Sequence, residues 1–528
     1  MCGISGIFSL SKNNVDNVKL MQNMNSLLIH RGPDDYGVWN ETDNSCILAH
    51  RRLSIVDLSP TGKQPMISKS TRYVISYNGE VYNTKELNKI LVENNISLRG
   101  HSDTELILEL CECLGIKNTL KKLIGMFAFA LYDRKEKFFF LCRDRLGIKP
   151  IYWTLINNNE FVFSSELKPL VLHPRILKKI NRNIVSNYLR HGYIPAPHSI
   201  YENIFKLEPG KMLEISKKNF EPRIESFWNL QNIVKERIVD KKRDEQSYIA
   251  ELDYLLNDSV SKRMIADVPV GSFLSGGIDS TTISAIMQKN SLNKIKTFSI
   301  GFKESDYNEA VYAKEIANYL GTDHNELYLT AHEAQEFIPL IPRYFDEPFA
   351  DSSQIPTYLI SKMAVKKVKV ALSGDGGDET FMGYNRYMIA ENMNWILRLP
   401  NFFKRIIIGI INLGSSHHWN MLSRIFPKKI IPSQLGDKLY KLVKILKDEE
   451  PDFYRTLISS FDYPDSYMIS GTEEKGMIWE NNFESYITEY VERLKLLDTL
   501  TYLPDDILTK VDRSSMAVSL EVRVPILD

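Results

Sequence analysis

Met1-Cys2-Gly3 is the stretch on which the reading of this chain turns. If the initiator methionine is removed, Cys2 becomes the amino-terminal residue and carries a thiol and a free α-amine on one carbon. An ordinary cysteine thiol has a pKa near ~8.5 and is only slightly ionised at neutral pH. A free α-amine titrates at about 7.7–8.0 and can act as a general base beside it. One residue then supplies nucleophile and base. On these residues alone, the competing reading is a small buried cysteine at the head of a first strand over residues 4–10, so the rest of the chain must decide.

A length of 528 residues implies several domains. Lys+Arg and Asp+Glu both number 66, and this balance argues against a dedicated nucleic-acid binder. Hydrophobic content of 43% fits a globular protein. The start lacks the basic and apolar regions of a signal peptide. No apolar run reaches the ~18 residues of a membrane span. The nearest, Ile407-Ile408-Gly409-Ile410-Ile411, is expected to be a buried or surface-docked helix, so no membrane partner is expected. Five scattered cysteines make no disulfide framework, which points to a reducing cytoplasm.

Residues 1–215 read as one α+β unit. Strands are predicted at 4–10, 46–50, 73–77, 127–132, 138–142 and 161–164, with helices at 15–29, 84–93 and 104–114. Hairpin-paired strands with helices on separate faces suggest a layered sandwich. Residues 216–245 are charged and weakly periodic and read as a linker. From 246 to 528 the pattern becomes alternating: helix 248–264, strand 270–274, a Gly-rich turn and helix, strand 296–302, helix 308–320, strand 326–329, a helix, and strand 369–372. That alternation signals a doubly wound parallel sheet. Residues 385–500 read as helical.

Four stretches of the first unit place polar groups where strands end: His30-Arg31-Gly32-Pro33-Asp34, His50-Arg51-Arg52-Leu53-Ser54, Asn78-Gly79-Glu80 and His101-Ser102-Asp103-Thr104-Glu105. A thiolate attacking an amide needs an oxyanion hole. Asn78 can offer a side-chain NH2 and Gly79 a backbone N–H without a Cβ in the way. Arg52 suits a substrate carboxylate through its bidentate fork, and Asp103 with Glu80 suits an ammonium. On local grounds Asp103 reads more readily as the N-cap of the following helix.

Taken with Cys2-Gly3-Ile4, Gly125-Met126-Phe127-Ala128-Phe129-Ala130 and Arg143-Asp144-Arg145-Leu146-Gly147-Ile148-Lys149-Pro150, these motifs resemble the class II, N-terminal-nucleophile glutamine amidotransferase domain. The resemblance implies a four-layer αββα sandwich. It also implies hydrolysis of glutamine to glutamate and ammonia through a thioester on Cys2. Arg52 would hold the glutamine carboxylate, Asp103 and Glu80 its amine, and Asn78 and Gly79 the oxyanion.

In the second unit, Ser275-Gly276-Gly277-Ile278-Asp279-Ser280 follows a predicted strand and opens a helix. A Gly-rich turn at a helix N-terminus binds phosphate, yet neither the Walker nor the dinucleotide pattern is present. The stretch resembles the pyrophosphate loop of ATP pyrophosphatases, which makes Asp279 a candidate Mg2+ ligand. Ser373-Gly374-Asp375-Gly376-Gly377-Asp378-Glu379 also follows a strand. Its acidic residues can hold Mg2+ while its glycines admit phosphate.

With Asp346-Glu347-Pro348-Phe349-Ala350-Asp351-Ser352-Ser353, Leu503-Pro504-Asp505-Asp506, Lys510-Val511-Asp512-Arg513 and Glu521-Val522-Arg523-Val524-Pro525, the two loops resemble the synthetase domain of the asparagine synthetase B family. That resemblance implies adenylation of a carboxylate by ATP and Mg2+, then attack by ammonia. It implies an ATP pocket of Leu274, Ser275, Gly276, Gly277, Asp279, Ser280, Ile300, Ser373, Gly374 and Asp375, with metal at Asp279 and Asp378. Asp375 stands where many members have glutamate, and Thr380 and Met382 depart from the commoner residues. Members of the family continue beyond the Val-Pro-Ile-Leu-Asp motif, so the synthetase domain is expected to be truncated. The expected partners are glutamine, ATP and an acceptor carboxylate, with aspartate favoured, and a homodimer is an expectation. The competing readings are the same chemistry on a uronate or other carboxylate, a non-synthesising scaffold, and a nucleic-acid thiolation enzyme; the neutral charge and Cys2 oppose the last.

Overall fold

The structure is a computed structural model. It describes all residues except 11–15, 238–243, 303–308, 398, 424–434, 448–449 and 480–481. The first twelve strands are β1 (Gly3–Ser9), β2 (Asp35–Asn40), β3 (Cys46–Arg52), β4 (Met66–Ile67), β5 (Tyr73–Val81), β6 (Gly125–Asp133), β7 (Phe138–Arg143), β8 (Tyr152–Ile156), β9 (Glu160–Ser164), β10 (Phe205–Lys206), β11 (Lys211–Ser216) and β12 (Arg223–Ser226). They form two six-stranded antiparallel sheets, ordered β10-β8-β9-β1-β3-β2 and β12-β11-β7-β6-β5-β4.

The two-residue side-chain period explains the layering. Ile4 and Phe8 of β1 point into a core shared with Val74, Ala128, Tyr132 and Phe139 of the other sheet. Ile7 points the opposite way, into a core with Met21 and Met24 of the helix Asp16–Ser26 and Leu170 of Leu167–Leu172. On the far side, Tyr77 and Phe129 pack against Leu87 and Leu106 of the helices Thr84–Glu93 and Asp103–Leu114. The order of layers is therefore helix, sheet, sheet, helix, as the αββα reading expected.

The second unit holds five parallel strands, β13 (Val270–Phe273), β14 (Lys296–Phe302), β15 (Asp323–Leu329), β16 (Val370–Leu372) and β17 (Glu521–Arg523). Their order is β15-β14-β13-β16-β17. The chain leaves β13 to one side, then returns to its other side at β16. The crevice where the winding reverses, at the carboxyl ends of the strands, is where open α/β sheets bind ligands.

The segment 216–245 is not an unstructured linker. It carries β12, paired with β11, and the helix Leu230–Arg237; residues 238–243 lie outside the described residues, as do the first residues of the predicted helices 15–29 and 308–320. β12 escaped the sequence reading because it is an edge strand with half its residues charged. The two units share a core. Met1, Leu53, Ile55, Tyr82, Met126 and Ile148 pack in one cluster with Ile283, Leu372, Leu503, Leu508, Met516 and Val524.

Candidate functional site

β1 and β5 bring the first site together. The Cys2 backbone N–H donates to Asn78 Oδ1 at 2.8 Å. This fixes the orientation of the amide and leaves Asn78 Nδ2 buried without a partner among the described residues. Cys2, Arg52, Gly79, Glu80 and Asp103 line one small cavity of about 30 Å³, closed by Met1 and Glu521. The sequence-predicted residues thus converge from β1, β3, β5 and the helix beginning at Asp103.

Each side chain has a visible cause for its position. Arg52 donates through Nη1 to Ser59 O at 3.2 Å and through Nη2 to Asp57 O, so backbone carbonyls anchor its fork. Gly62 makes room for it: a Cβ there would stand 2.1 Å from Arg52 Nη2. Gly79 is a glycine for a second reason besides access, because a Cβ would lie 2.2 Å from Met126 O of β6. Asp103 is not the N-cap. Ser102 takes that role, accepting from Glu105 N at 3.3 Å, and Asp103 is left free to face the cavity. Its Oδ2 accepts from Tyr77 Oη at 2.6 Å and Val81 N at 3.0 Å.

The electrostatics are those of a site awaiting a cation. Burial pushes Asp103 up to about 6 despite those two hydrogen bonds. Burial, and next the Asp103 charge, push Glu80 well above the ordinary carboxylate range. An ammonium between them would restore both to their charged forms. Burial also raises the Cys2 thiol, and the neighbouring amino-terminal charge only partly offsets this. His50 is no base for Cys2: its Nε2 bonds Tyr77 O at 3.0 Å, and burial pulls it down to about 3.

Arg31 is fully buried and bridges the two units. Its Nε donates to Cys2 O at 3.1 Å and its Nη1 to Asp512 Oδ2 at 2.8 Å. Arg513 Nη1 lies 2.9 Å from Glu166 Oε1, and Lys206 Nζ 2.8 Å from Glu347 Oε1. The Met1 ammonium sits 2.9 Å from Glu521 Oε2. Burial would raise Glu521, but that ammonium and Arg523 override it and hold the carboxyl at about 2. The Asp346-Glu347, Asp512-Arg513 and Glu521-Val522-Arg523 motifs therefore contribute side chains to the interface, with no need of nucleotide.

The second site lies at the carboxyl ends of β13 and β16. Ser275, Gly277, Asp279, Ser280, Ser373, Gly374, Asp375 and Asp378 line a cavity of about 1050 Å³. Gly276, at φ +90°, makes the turn that only glycine takes easily. Ser275 Oγ and Ser280 Oγ are 2.9 Å apart and tie the loop to its helix, Ile278–Lys289. The two loops touch: a Cβ on Gly377 would stand 2.3 Å from Asp279 Oδ2. Three of the predicted ATP residues do not line the cavity. Leu274 is buried against Ala313 and Ala317, Gly276 shapes the turn, and Ile300 packs beside Leu329 and Phe337.

Burial raises Asp279, and the charges of Asp378 and Asp375 raise it further; burial and Asp375 likewise raise Asp378. Among the described residues no group of three or more His, Cys, Asp or Glu forms a ready metal cage. Asp351, in the stretch 346–353 expected to line the acceptor pocket, and Lys510, to which no role was assigned from sequence, lie in the same cavity 3.2 Å apart. Burial opposes the Lys510 charge, but Asp351 keeps its ammonium above the ordinary range. The signal was present in the matched motifs, but their pairing needs the fold.

These are the two halves of a glutamine-dependent amide synthetase. The family profile described as glutamine amidotransferase domain matches residues 1–228, and that described as asparagine synthase matches residues 251–528. A putative asparagine synthetase [glutamine-hydrolyzing] 2 of Methanocaldococcus jannaschii is 37% identical over 99% of this chain and 100% of its own length. Asparagine synthetase [glutamine-hydrolyzing] 1 of Bacillus subtilis is 31% identical over 100% of this chain and 79% of its own. Asparagine synthetase B [glutamine-hydrolyzing] of Escherichia coli is 32% identical over 74% and 66%. A solved glutamine phosphoribosylpyrophosphate amidotransferase from B. subtilis aligns at 15% identity over 63% of this chain and 91% of its own, with a TM-score of 0.34. The chain belongs to the glutamine-hydrolysing asparagine synthetase family.

Proposed function

We propose that the chain hydrolyses glutamine at Cys2 and passes the ammonia to an ATP-activated carboxylate, that of aspartate, to make asparagine. The observation that carries the glutaminase half is the orphaned Asn78 Nδ2 beside the Cys2 cavity. A buried unpaired donor costs about 1–3 kcal/mol, and an oxyanion formed there would recover it.

The proposed sequence begins with removal of Met1, which frees the Cys2 amine to take the thiol proton. Sγ attacks the side-chain amide carbon of glutamine, with the oxyanion on Asn78 Nδ2 and the Gly79 N–H. The amine returns its proton to the departing nitrogen, ammonia leaves, and water cleaves the thioester to glutamate. Arg52 holds the substrate carboxylate, and Asp103 with Glu80 its ammonium.

In the second half, an acceptor carboxylate oxygen attacks the α-phosphorus of ATP and pyrophosphate departs. Ammonia attacks the acyl-adenylate carbonyl carbon and AMP departs. Ser275, Gly277, Ser280, Ser373 and Gly374 cradle the phosphates, and Asp279 and Asp378 hold Mg2+, which supplies charge neutralisation. Aspartate as acceptor is supported by the relatives, which are named asparagine synthetases. The adjacent Lys510 and Asp351 support it too, since an amino acid offers a carboxylate and an ammonium side by side. A reducing cytoplasm fits the five free cysteines. The test is amide formation with AMP and pyrophosphate release from glutamine, ATP and either aspartate or a uronic acid. Product with the uronate and none with aspartate would overturn the acceptor assignment.

A further inference from the structure

Glu379 is the last residue of the acidic loop that follows β16, and neither the phosphate cradle nor the metal pair uses it. It stands on the short helix Gly377–Phe381 and lines the second cavity, with 1% of its surface exposed. Tyr384 Oη donates to its Oε1 at 2.8 Å. Its Oε2 is buried and has no hydrogen-bond partner among the described residues. A buried carboxylate oxygen without a donor is costly, and a charged donor brought against it recovers the most.

The cations around it are already paired. Lys510 Nζ lies 3.2 Å from Asp351 Oδ2 in the same cavity. Arg386 Nη2 lies 2.8 Å from Asp498 Oδ2, and its guanidinium rests 4.2 Å from the centre of the Tyr384 ring and 4.4 Å from that of Tyr502. These two rings meet edge to face, 5.9 Å between centroids, and wall the cavity together with Glu379. Magnesium keeps several waters and asks for a shell of oxygens. A corner walled by tyrosine rings suits an organic ammonium better, and an acceptor amino acid brings one.

We propose that Glu379 Oε2 receives the ammonium group of the acceptor amino acid, and that this contact makes the second site choose carboxylic acids that carry an amine. The inference rests on the amino-acid acceptor proposed above and adds the residue that excludes acids without an amine. Selection by such a device is steep, because an acid with no amine leaves Oε2 as buried and unpaired in the complex as in the free protein. Asp351 is less suited to the task, since Lys510 already meets its charge.

The test measures pyrophosphate release from ATP with added ammonium, with aspartate or with succinate, which has the same two carboxylates and no amine. The unaltered chain should prefer aspartate by about a hundredfold or more in kcat/KM. E379Q keeps an oxygen for Tyr384 and replaces Oε2 by an NH2. Its KM for aspartate should rise roughly ten- to a hundredfold with kcat nearly unchanged, the scale of a lost charge-assisted hydrogen bond, and its preference over succinate should shrink by the same factor. Glutamine hydrolysis at Cys2 should be untouched. If E379Q fails to fold, Y384F carries the test, since it frees Oε1 and should move both readouts in the same direction by a few-fold. Aspartate and succinate reduced alike, a loss confined to kcat, or recovery of E379Q by raised Mg2+ would overturn the proposal and leave aspartate as the acceptor. No pyrophosphate with aspartate in the unaltered chain would instead remove the acceptor reading, and this proposal with it.

Discussion

The two cavities of this chain differ in how much of their work is done before a ligand arrives. The Cys2 site is walled by antiparallel strands and holds about 30 Å³, with Arg52 and Asp103 anchored by backbone partners and Cys2 by the Asn78 side chain. The second cavity holds about 1050 Å³, and the charges of Asp375 and Asp378 raise Asp279 while that of Asp375 raises Asp378. Strand ends fix side chains before binding; glycine loops leave backbone free to meet phosphate and let the metal complete the site. On the proposed function, the first site acts once Met1 is removed and the second acts with ATP and metal bound.

The sharpest break of that comparison is Cys2→Ala. It should reduce glutamine hydrolysis by about three orders of magnitude or more, to background, since no other group here supplies the nucleophile. Synthesis driven by added ammonium should persist, because the second cavity lies apart. Protein that retains Met1 should be equally inactive with glutamine: the free amine is missing and a glutamine cannot share the cavity with Met1. Intact mass compared with activity across preparations checks this. Undiminished glutamine turnover in Cys2→Ala would remove the assignment altogether.

How far this could be read from sequence follows the same division. The polar residues around Cys2 were legible through the motifs that carry the family resemblance; in the structure Arg52 ends β3, Asn78 and Gly79 lie within β5, and Asp103 begins a helix. Asp103 was misjudged as a cap because Ser102, one residue earlier, was not weighed. β17 was not predicted: Glu521 and Arg523 are buried in it through the Met1 ammonium, each other's charge, Glu80 and the carbonyls of Arg263 and Ile265, partners that lie far apart in the chain. β12 was hidden by its charges. Asp351 and Lys510 lie 159 positions apart (510 − 351), so their contact belongs to the fold and to no local pattern. The αββα order itself was within reach, because the period of two assigns Ile4 and Phe8 to one face and Ile7 to the other.

Asp279→Asn tests the second cavity. It removes the carboxylate packed on Gly377 without changing its shape. Pyrophosphate release should fall by roughly two orders of magnitude, the scale of a lost contact to a developing phosphate charge, while glutamine hydrolysis is unchanged. Raised Mg2+ should partly restore the variant. An equal loss in both activities would mean that the two sites are not separable as described.

A smaller effect is expected from pH. The raised carboxyl of Asp103 is charged above about 6 and neutral below it, and only the charged form holds an ammonium. For glutamine hydrolysis, kcat/KM follows the free enzyme: the Cys2 amine must be neutral to act as base, which gives a tenfold-per-unit limb below about 7.7–8.0, and the Asp103 carboxyl should steepen it to roughly a hundredfold per unit below about 6. Pyrophosphate release, measured with added ammonium and corrected for its ionisation, should share neither limb. A limb that keeps its single slope down to pH 5 would show that Asp103 is not the ammonium partner.

The smallest expected change is Gly62→Ala. The new Cβ would stand 2.1 Å from Arg52 Nη2 and 2.9 Å from Asp57 O, so the fork, the far end of a long side chain, must move by roughly 1 Å to restore ordinary contact. Asp57 O and Ser59 O would then hold it less squarely. If Arg52 holds the glutamine carboxylate in ground and transition states alike, KM should rise several-fold with kcat nearly unchanged, a loss of about 1 kcal/mol of uniform binding. A fall in kcat instead would place Arg52 in the chemistry of the thioester. Ammonium-driven synthesis should be untouched in either case, because that cation serves the closed cavity and not the open one.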